Sequence, residues 1–423
     1  MRIELDMHGE VYLLSIIKYN IVLSMKKLLF FLPFISVLFS CGETPKQEVK
    51  SFWDQCDVIA KREVVNGDTV IVCDPKLIKQ KKNIPLDLLV DSFEIIIMDN
   101  KREEALISKR FPNLYFTENY IGVTAYSYFP MKLFRKDGTF VRHIGARGQG
   151  PGEYAVIDAV FMDEKNDRIY ILPFSADYIL VYDFKGNIYP RIKLAENLLY
   201  GSTIKVYGDK KQVLVTKPIS PETNYCVWIQ DFEGNLIQGA KTSDYYKDVT
   251  SFSESTITHF RTDDIELFRF GVLNGNEFLY HYDIEKNKLI PQFRIDGDDQ
   301  YIFIHELPNH FVVEKAQSTG TSDNDLFTEK LIVDKKTLRG CYFDGFETAS
   351  GLILGNYCIL NQVYGPNFAV LDFSSNVSEY IQKIKKESLT STQKQELQKL
   401  KSIIEENDAN DECSILFRGK FKN

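Results

Sequence analysis

Residues Leu133 to Tyr154 read LFRKDGTFVRHIGARGQGPGEY, and two instructions meet in them. Leu133 and Phe134 on one side, and Phe140 and Val141 on the other, flank the turn Lys136 to Thr139. Asp-Gly between two such β-prone runs signals a hairpin, because Asp and Gly tolerate the left-handed backbone that a tight turn needs. Immediately afterwards Gly145, Gly148, Gly150, Pro151 and Gly152 crowd into residues 145–152. That composition forbids both helix and regular strand, so the chain must leave the hairpin through an irregular link of special backbone shape.

The hairpin recurs along the chain. An aspartate opening a turn after a short apolar strand is found at Asp137, Asp183, Asp231, Asp283, Asp334 and Asp372, in steps of 46, 48, 52, 51 and 38 residues. Self-similarity at that period marks the blades of a β-propeller, each of four strands. No helical pattern appears between Phe93 and Phe373 that would suit a helical or leucine-rich solenoid. An earlier hairpin is expected at Val64 to Val72 around Asn66 and Gly67, and Phe93 to Met98 reads as another strand. Ser414 to Phe421 (SILFRGKF) supplies a last strand, and a ring of sheets must close, so its expected partners lie between Val58 and Met98. The expectation is an all-β, six-bladed propeller of four-stranded antiparallel blades, closed by strands from both chain ends. One interruption precedes closure. Leu397, Leu400, Ile403 and Ile404 share a helical face, Thr392 and Gln395 suit a capping box, and a shorter helix fits from Val377, giving a helical insertion at about 377–407 that packs outside the last blade.

The stretch Gly148 to Tyr154 resembles the GxGPGE turn of bacterial six-bladed β-propeller lipoproteins, a largely uncharacterised family related to NHL and TolB-like propellers. The resemblance is specific at this motif and diffuse elsewhere, from about Cys41 to the C-terminus. It implies a fold and a cell-envelope location, and no reaction.

The N-terminus carries an address. Met25, Lys26 and Lys27 form a basic start, Leu28 to Phe39 is apolar, and Leu38 to Gly42 (LFSCG) reads as a lipobox with lipid attached at Cys41. The apolar run falls short of the roughly 20 residues that cross a bilayer. Residues 1–24 then read as a mis-assigned start, 25–40 as a signal peptide, 41–50 as a tether and 51–423 as the propeller. The predicted location is the cell envelope, lipid-anchored at the outer membrane. In an oxidising envelope the remaining cysteines are either bridged or small buried hydrophobes, with Cys56 to Cys73 and Cys341 to Cys358 the first pairs to test.

With 44% hydrophobic and 13% aromatic residues the chain can build a core, and a formal charge of −8 without a basic block argues against a nucleic-acid partner. The glycine-rich loop lacks the Lys-Ser/Thr of a phosphate-binding loop, so it reads as a structural crossover held by Pro151 and by Glu153 accepting backbone N–H groups. His143, His259, His281, His305 and His310 show no zinc spacing, Asp296 to Asp299 lacks the ligand alternation of a calcium loop, and no G-x-S-x-G is present. No catalytic, cofactor or metal residues follow from the sequence. Two functions remain: a membrane-anchored propeller binding a protein or glycan ligand, with tyrosines such as Tyr178 offering rings for stacking, or a hydrolase or lyase acting on polysaccharide. The second requires acidic or basic side chains from three or more blades, Asp263 and Asp264 among the candidates, to meet in one pocket.

Overall fold

In a computed structural model, residues 51–422 are described apart from 109–111, 126–129, 199–200, 218–222, 246–254, 261–264, 271–277, 298–300, 317–328, 355–362, 385 and 408–412. Cys41, Cys358 and the Asp263–Asp264 pair lie outside the described residues, as do residues 1–50.

The repeated hairpins build sheets in chain order. The first comprises Pro112–Phe116, Tyr120–Ala125, Met131–Arg135 and Phe140–Ile144; the second Ile157–Asp163, Arg168–Pro173, Tyr178–Tyr182 and Ile188–Lys193; the third Thr203–Tyr207, Gln212–Thr216, Tyr225–Asp231 and Leu236–Lys241. The fourth runs from Ser255–Phe260 to Lys288–Ile295 and the fifth from Tyr301–Leu307 to Arg339–Phe343. Phe346–Glu347 and Ile353–Leu354 then pair in a small sixth sheet, and Val363–Tyr364, Asn367–Phe373 and Ser414–Phe421 enter the seventh. Opening strands stand side by side: that of the second sheet lies between those of the first and third, and Val363–Tyr364 lies beside Pro112–Phe116, which brings the last sheet back to the first.

The expected six blades are therefore corrected. Seven sheets of three or more strands are present among the described residues. The additional one is built from two-residue strands too short to carry an alternating pattern, and no aspartate opens a turn in it. The Asp372 anchor also behaves differently from the others. Asp183 and Asp231 each accept the backbone N–H four residues ahead, at 2.8 Å from Asn187 and from Asn235, closing a hairpin. Asp372 instead accepts from Phe373 N–H and from the Asn376 amide, both at 2.8 Å, and leads into the helix Ser374–Lys383.

The first described segment wraps the ring. Asp57–Val58 joins the fifth sheet, the hairpin Ala60–Val65 and Asp68–Cys73 joins the fourth through a parallel pairing, Ile84–Pro85 joins the sixth, and Val90–Ile97 pairs with Ser414–Phe421. Closure by both chain ends is thus realised, with a longer N-terminal contribution than one strand.

The core is divided into wedges between sheets. Leu133 packs toward Ile169 and Leu180 of the second sheet, whereas its neighbour Phe134 packs toward Ala369 and Leu416 of the seventh. Alternate side chains of one strand point to opposite faces, and here both faces are buried. Helices Ser374–Lys383 and Ser391–Asn407 fill the connection before the closing strand, burying Val377, Ile381, Leu397, Leu400 and Ile404 against Phe346, Phe368 and Phe417.

Candidate functional site

The crossover Gly145 to Tyr154 links the first sheet to the second. Ala146–Arg147 and Glu153–Tyr154 pair in parallel, folding the loop back on itself. Glu153 Oε2 accepts the Gly150 N–H at 2.9 Å, and the Gly150 carbonyl accepts the Glu153 N–H at 3.0 Å. Tyr154 is buried; its hydroxyl accepts the Met131 N–H at 3.0 Å and donates to the Ile144 carbonyl, tying the link to the first sheet. Burial pushes the phenol above its ordinary range. Tyr182 of the second sheet donates to the Gly152 carbonyl. Gly152 holds φ +77°, and a side chain there would strike Ile188; one at Gly148 would strike the Glu153 carboxylate. Pro151 is exposed at the tip, where its fixed φ suits a turn. These bonds position the loop by residues on two sheets.

Beside the loop lies a recess of about 580 Å³, walled by the crossover and by the turn between the second and third strands of the second sheet. Gln149, Glu153, Phe174, Asp177, Tyr178 and Asn197 line it. Phe174 is 46% exposed, high for a phenyl ring. Ser175 takes φ 51°, which turns the chain sharply after that ring. The Arg191 guanidinium sits 4.7 Å from the centre of the Tyr178 ring, within cation–π range. Of the other tyrosines, Tyr120 packs on Phe184 and Tyr245 accepts the Leu289 N–H, while Tyr126, Tyr128 and Tyr246 lie outside the described residues.

A second recess, of about 740 Å³, opens at the opposite end of the second sheet. Turns of three successive sheets supply Glu118, Asp163, Glu164, Lys165, Asp209 and Lys210. Charged groups from three blades do meet here, but Glu164, Lys165 and Asp209 already have partners. Glu164 accepts from Asn119 N–H and side-chain amide at 3.0 and 2.7 Å, and Lys165 pairs with Asp209 at 2.6 Å. Burial would raise the Glu164 pKa, but hydrogen bonds from Thr117 and Asn119 outweigh it and hold the group below its ordinary value; the Lys165 hydrogen bond lowers that of Asp209. A general acid needs the opposite shift.

Sequence spacing missed a third cluster. His281 of the fourth sheet lies 2.6 Å from Glu306 of the fifth, and Lys335 pairs with the same carboxylate. Burial would raise Glu306, but the bonds to His281 and Lys335 dominate and bring it to about 2. His305 and His310 bracket a tight turn, as their proline suggests, and part ways: His305 lies 3.2 Å from Glu314, both fully buried, and the His310 ring packs at a tilt against Trp53, centroids 4.9 Å apart, with Asp334 at 3.5 Å. Burial lowers His310 to about 4. Only register could have found these pairs, since their members lie 25 and 9 residues apart on different strands. Among the described residues, no three His, Cys, Asp or Glu side chains gather where they could hold a metal ion.

A family model described as "Domain of unknown function (DUF4934)" matches residues 68–412. No curated protein matches the sequence. Among solved structures, a Bacteroides fragilis protein whose name proposes that it is exported superposes with a TM-score of 0.53 at 14% identity, covering 81% of this chain and 99% of that one. The hydrazine synthase of Kuenenia stuttgartiensis gives 0.39 at 12% identity, over 74% of this chain and 88% of that one. A Bacteroides caccae protein of unknown function gives 0.35 at 12% identity, over 68% and 93%. The first likeness is one of fold.

Proposed function

We propose, for a chain that belongs to the DUF4934 family and whose family description assigns no activity, a lipid-anchored envelope propeller that binds a glycan at the recess beside Gly148 to Tyr154. The observation that carries this reading is the Phe174 ring, exposed in a recess that Gln149, Asp177 and Asn197 also line. The apolar face of a pyranose stacks on such a ring, while amide and carboxylate groups exchange hydrogen bonds with its hydroxyls. The crossover positions this wall and contributes Gln149 and Glu153 to it. Anchoring rests on the lipobox at Cys41, with Met25 as the start and the outer membrane as destination.

The test is titration of the protein with a panel of neutral and acidic oligosaccharides. One or more should bind, and Phe174→Ala should weaken binding at least about 10-fold with little change in melting temperature, because nearly half of the residue is exposed and it lies in a turn rather than in a core wedge. Absence of binding across the panel, or full binding by Phe174→Ala, would defeat the reading. Cys41→Ala should abolish acyl labelling of the cell-expressed protein; retained label would defeat the anchor. The alternative, a polysaccharide hydrolase or lyase, draws on the three-blade recess at the other end. Cleavage of any panel member, lost in Asp209→Asn, would favour it.

A further inference from the structure

The expected Cys56–Cys73 pairing does not occur: Cys56 is buried in the wedge shared by the fifth, sixth and seventh sheets, and Cys73 in that between the fourth and fifth. Cys56 faces another cysteine. Asp57 pairs with Gly340 and Val58 with Arg339 in antiparallel register, so one step back the extended residue Cys56 (φ −102°, ψ 158°) comes opposite Cys341. Both residues are buried in the same cluster, at 3% and 0% exposure, and the Cys56 thiol donates to the Phe52 carbonyl at 3.7 Å. Directly opposed residues of an antiparallel pair have Cα atoms about 4.5–5.5 Å apart, inside the window of about 4.4–6.8 Å that a disulfide accepts. The Arg339 guanidinium donates to the Cys56 carbonyl at 2.6 Å, fixing that backbone on the strand it faces.

We propose that Cys56 and Cys341 form a disulfide on oxidative folding, which staples the N-terminal wrap to the fifth sheet. This deepens the reading of the protein as an envelope component, since that compartment supplies the oxidant. The oxidant is a disulfide, of an oxidised dithiol oxidoreductase in the cell or of oxidised glutathione in the tube. The Cys56 thiolate attacks one oxidant sulfur and expels the other as a thiolate. Cys341 then attacks the Cys56 sulfur of the mixed disulfide, releasing the second oxidant sulfur. Two protons leave the protein and two electrons reduce the oxidant, to the dithiol of the oxidoreductase or to two molecules of glutathione. The bond closes a loop spanning most of the chain, and so restricts the unfolded state more than a local bridge would.

The full chain is refolded with oxidised and reduced glutathione, alkylated and digested without reduction. A linked peptide pair containing Cys56 and Cys341, two hydrogens lighter than the separate peptides, is the expected result. Reduction should then lower the melting temperature by roughly 5 °C or more, a shift absent from Cys56→Ala and Cys341→Ala and kept in Cys73→Ala. Alkylated Cys56 and Cys341 after refolding, or a bridge from Cys56 to Cys73, would overturn the pairing. The same mapping on protein extracted from cells tests location separately: a bond formed in the tube and missing in cells overturns the envelope reading and leaves the pairing standing.

Discussion

At Gly152 the sequence signal and its physical cause coincide. The residue sits at φ +77° against Ile188, so Gly152→Val should cost about 2 kcal/mol or more in denaturant unfolding, beyond the roughly 0.5 kcal/mol of an ordinary surface change. Gly150→Val should cost less, since its nearest obstacle is the far end of the Glu153 side chain at 3.1 Å; equal losses at both would contradict this account. If the loop only positions the recess wall, Arg147→Ala should leave oligosaccharide binding unchanged. Asp158 carries a signal that no motif announces. It accepts the N–H groups of Gly201 and Ser202, both at 3.0 Å, yet burial raises its pKa to about 6. Tyr115 lies within its field and is raised to about 12, by burial first; a hydrogen bond with Thr124 works against the shift and the Asp158 charge adds a smaller push upward. The folded state then holds a proton that the unfolded chain releases near 3.8, so stability falls as pH climbs from about 4 to about 6. His310 and Glu306 act in the opposite sense, losing stability as pH falls from about 6.5 to 4 and from about 4.5 to 2. The stability of Asp158→Asn relative to wild type should therefore rise by on the order of 3 kcal/mol between pH 4 and pH 7. A difference independent of pH would refute the assignment. Asp158 was invisible in the sequence because its shift comes from the opening strand of one sheet meeting a loop that leads into the next.

The helical insertion shows how pattern and boundary part company at the scale of an element. The apolar stripe at Leu397, Leu400 and Ile404 is buried as its period implies, with Ile403 only partly covered. The capping box sits two residues before the expected Thr392 and Gln395. Thr390 Oγ accepts the Gln393 N–H at 3.2 Å, and Gln393 Oε1 accepts the Thr390 N–H at 2.9 Å. Both pairs fit the T-x-x-Q spacing, and the choice falls to tertiary structure, because Gln393 also donates to Glu347 of the sixth sheet at 3.0 Å. Thr390→Ala should cost about 1 kcal/mol in thermal or urea unfolding, and Thr392→Ala much less. Similar effects at both positions would place the helix start elsewhere. The same contrast separates Asp372 from the other anchors. Asp372 is the last but one residue of its strand, Asn367–Phe373, and the next residues, Ser374 to Asn376, begin a helix whose Val377 and Ile381 find a wedge to fill.

For the whole molecule, the sequence by itself determined that hairpins repeat at blade-like intervals, that an irregular glycine-rich link joins two of them, and that both chain ends supply strands to a closed ring. These features are local: a turn residue acts on its own backbone, and a strand of alternating burial needs only period two to be recognised. Tertiary structure alone decided the number of sheets, the wrap of the first segment across four of them, the register that sets Cys56 opposite Cys341, the meeting of His281 with Glu306, and the recess that Phe174 and Asn197 both line. Strands such as Asp57–Val58, Ile84–Pro85 and Phe346–Glu347 are two residues long and carry no periodicity, so they become strands only where an exposed sheet edge offers them backbone partners. The contacts that could bind or react join residues from separate repeats. Their distances are set by how sheets pack around a ring, a property that no window of the sequence contains.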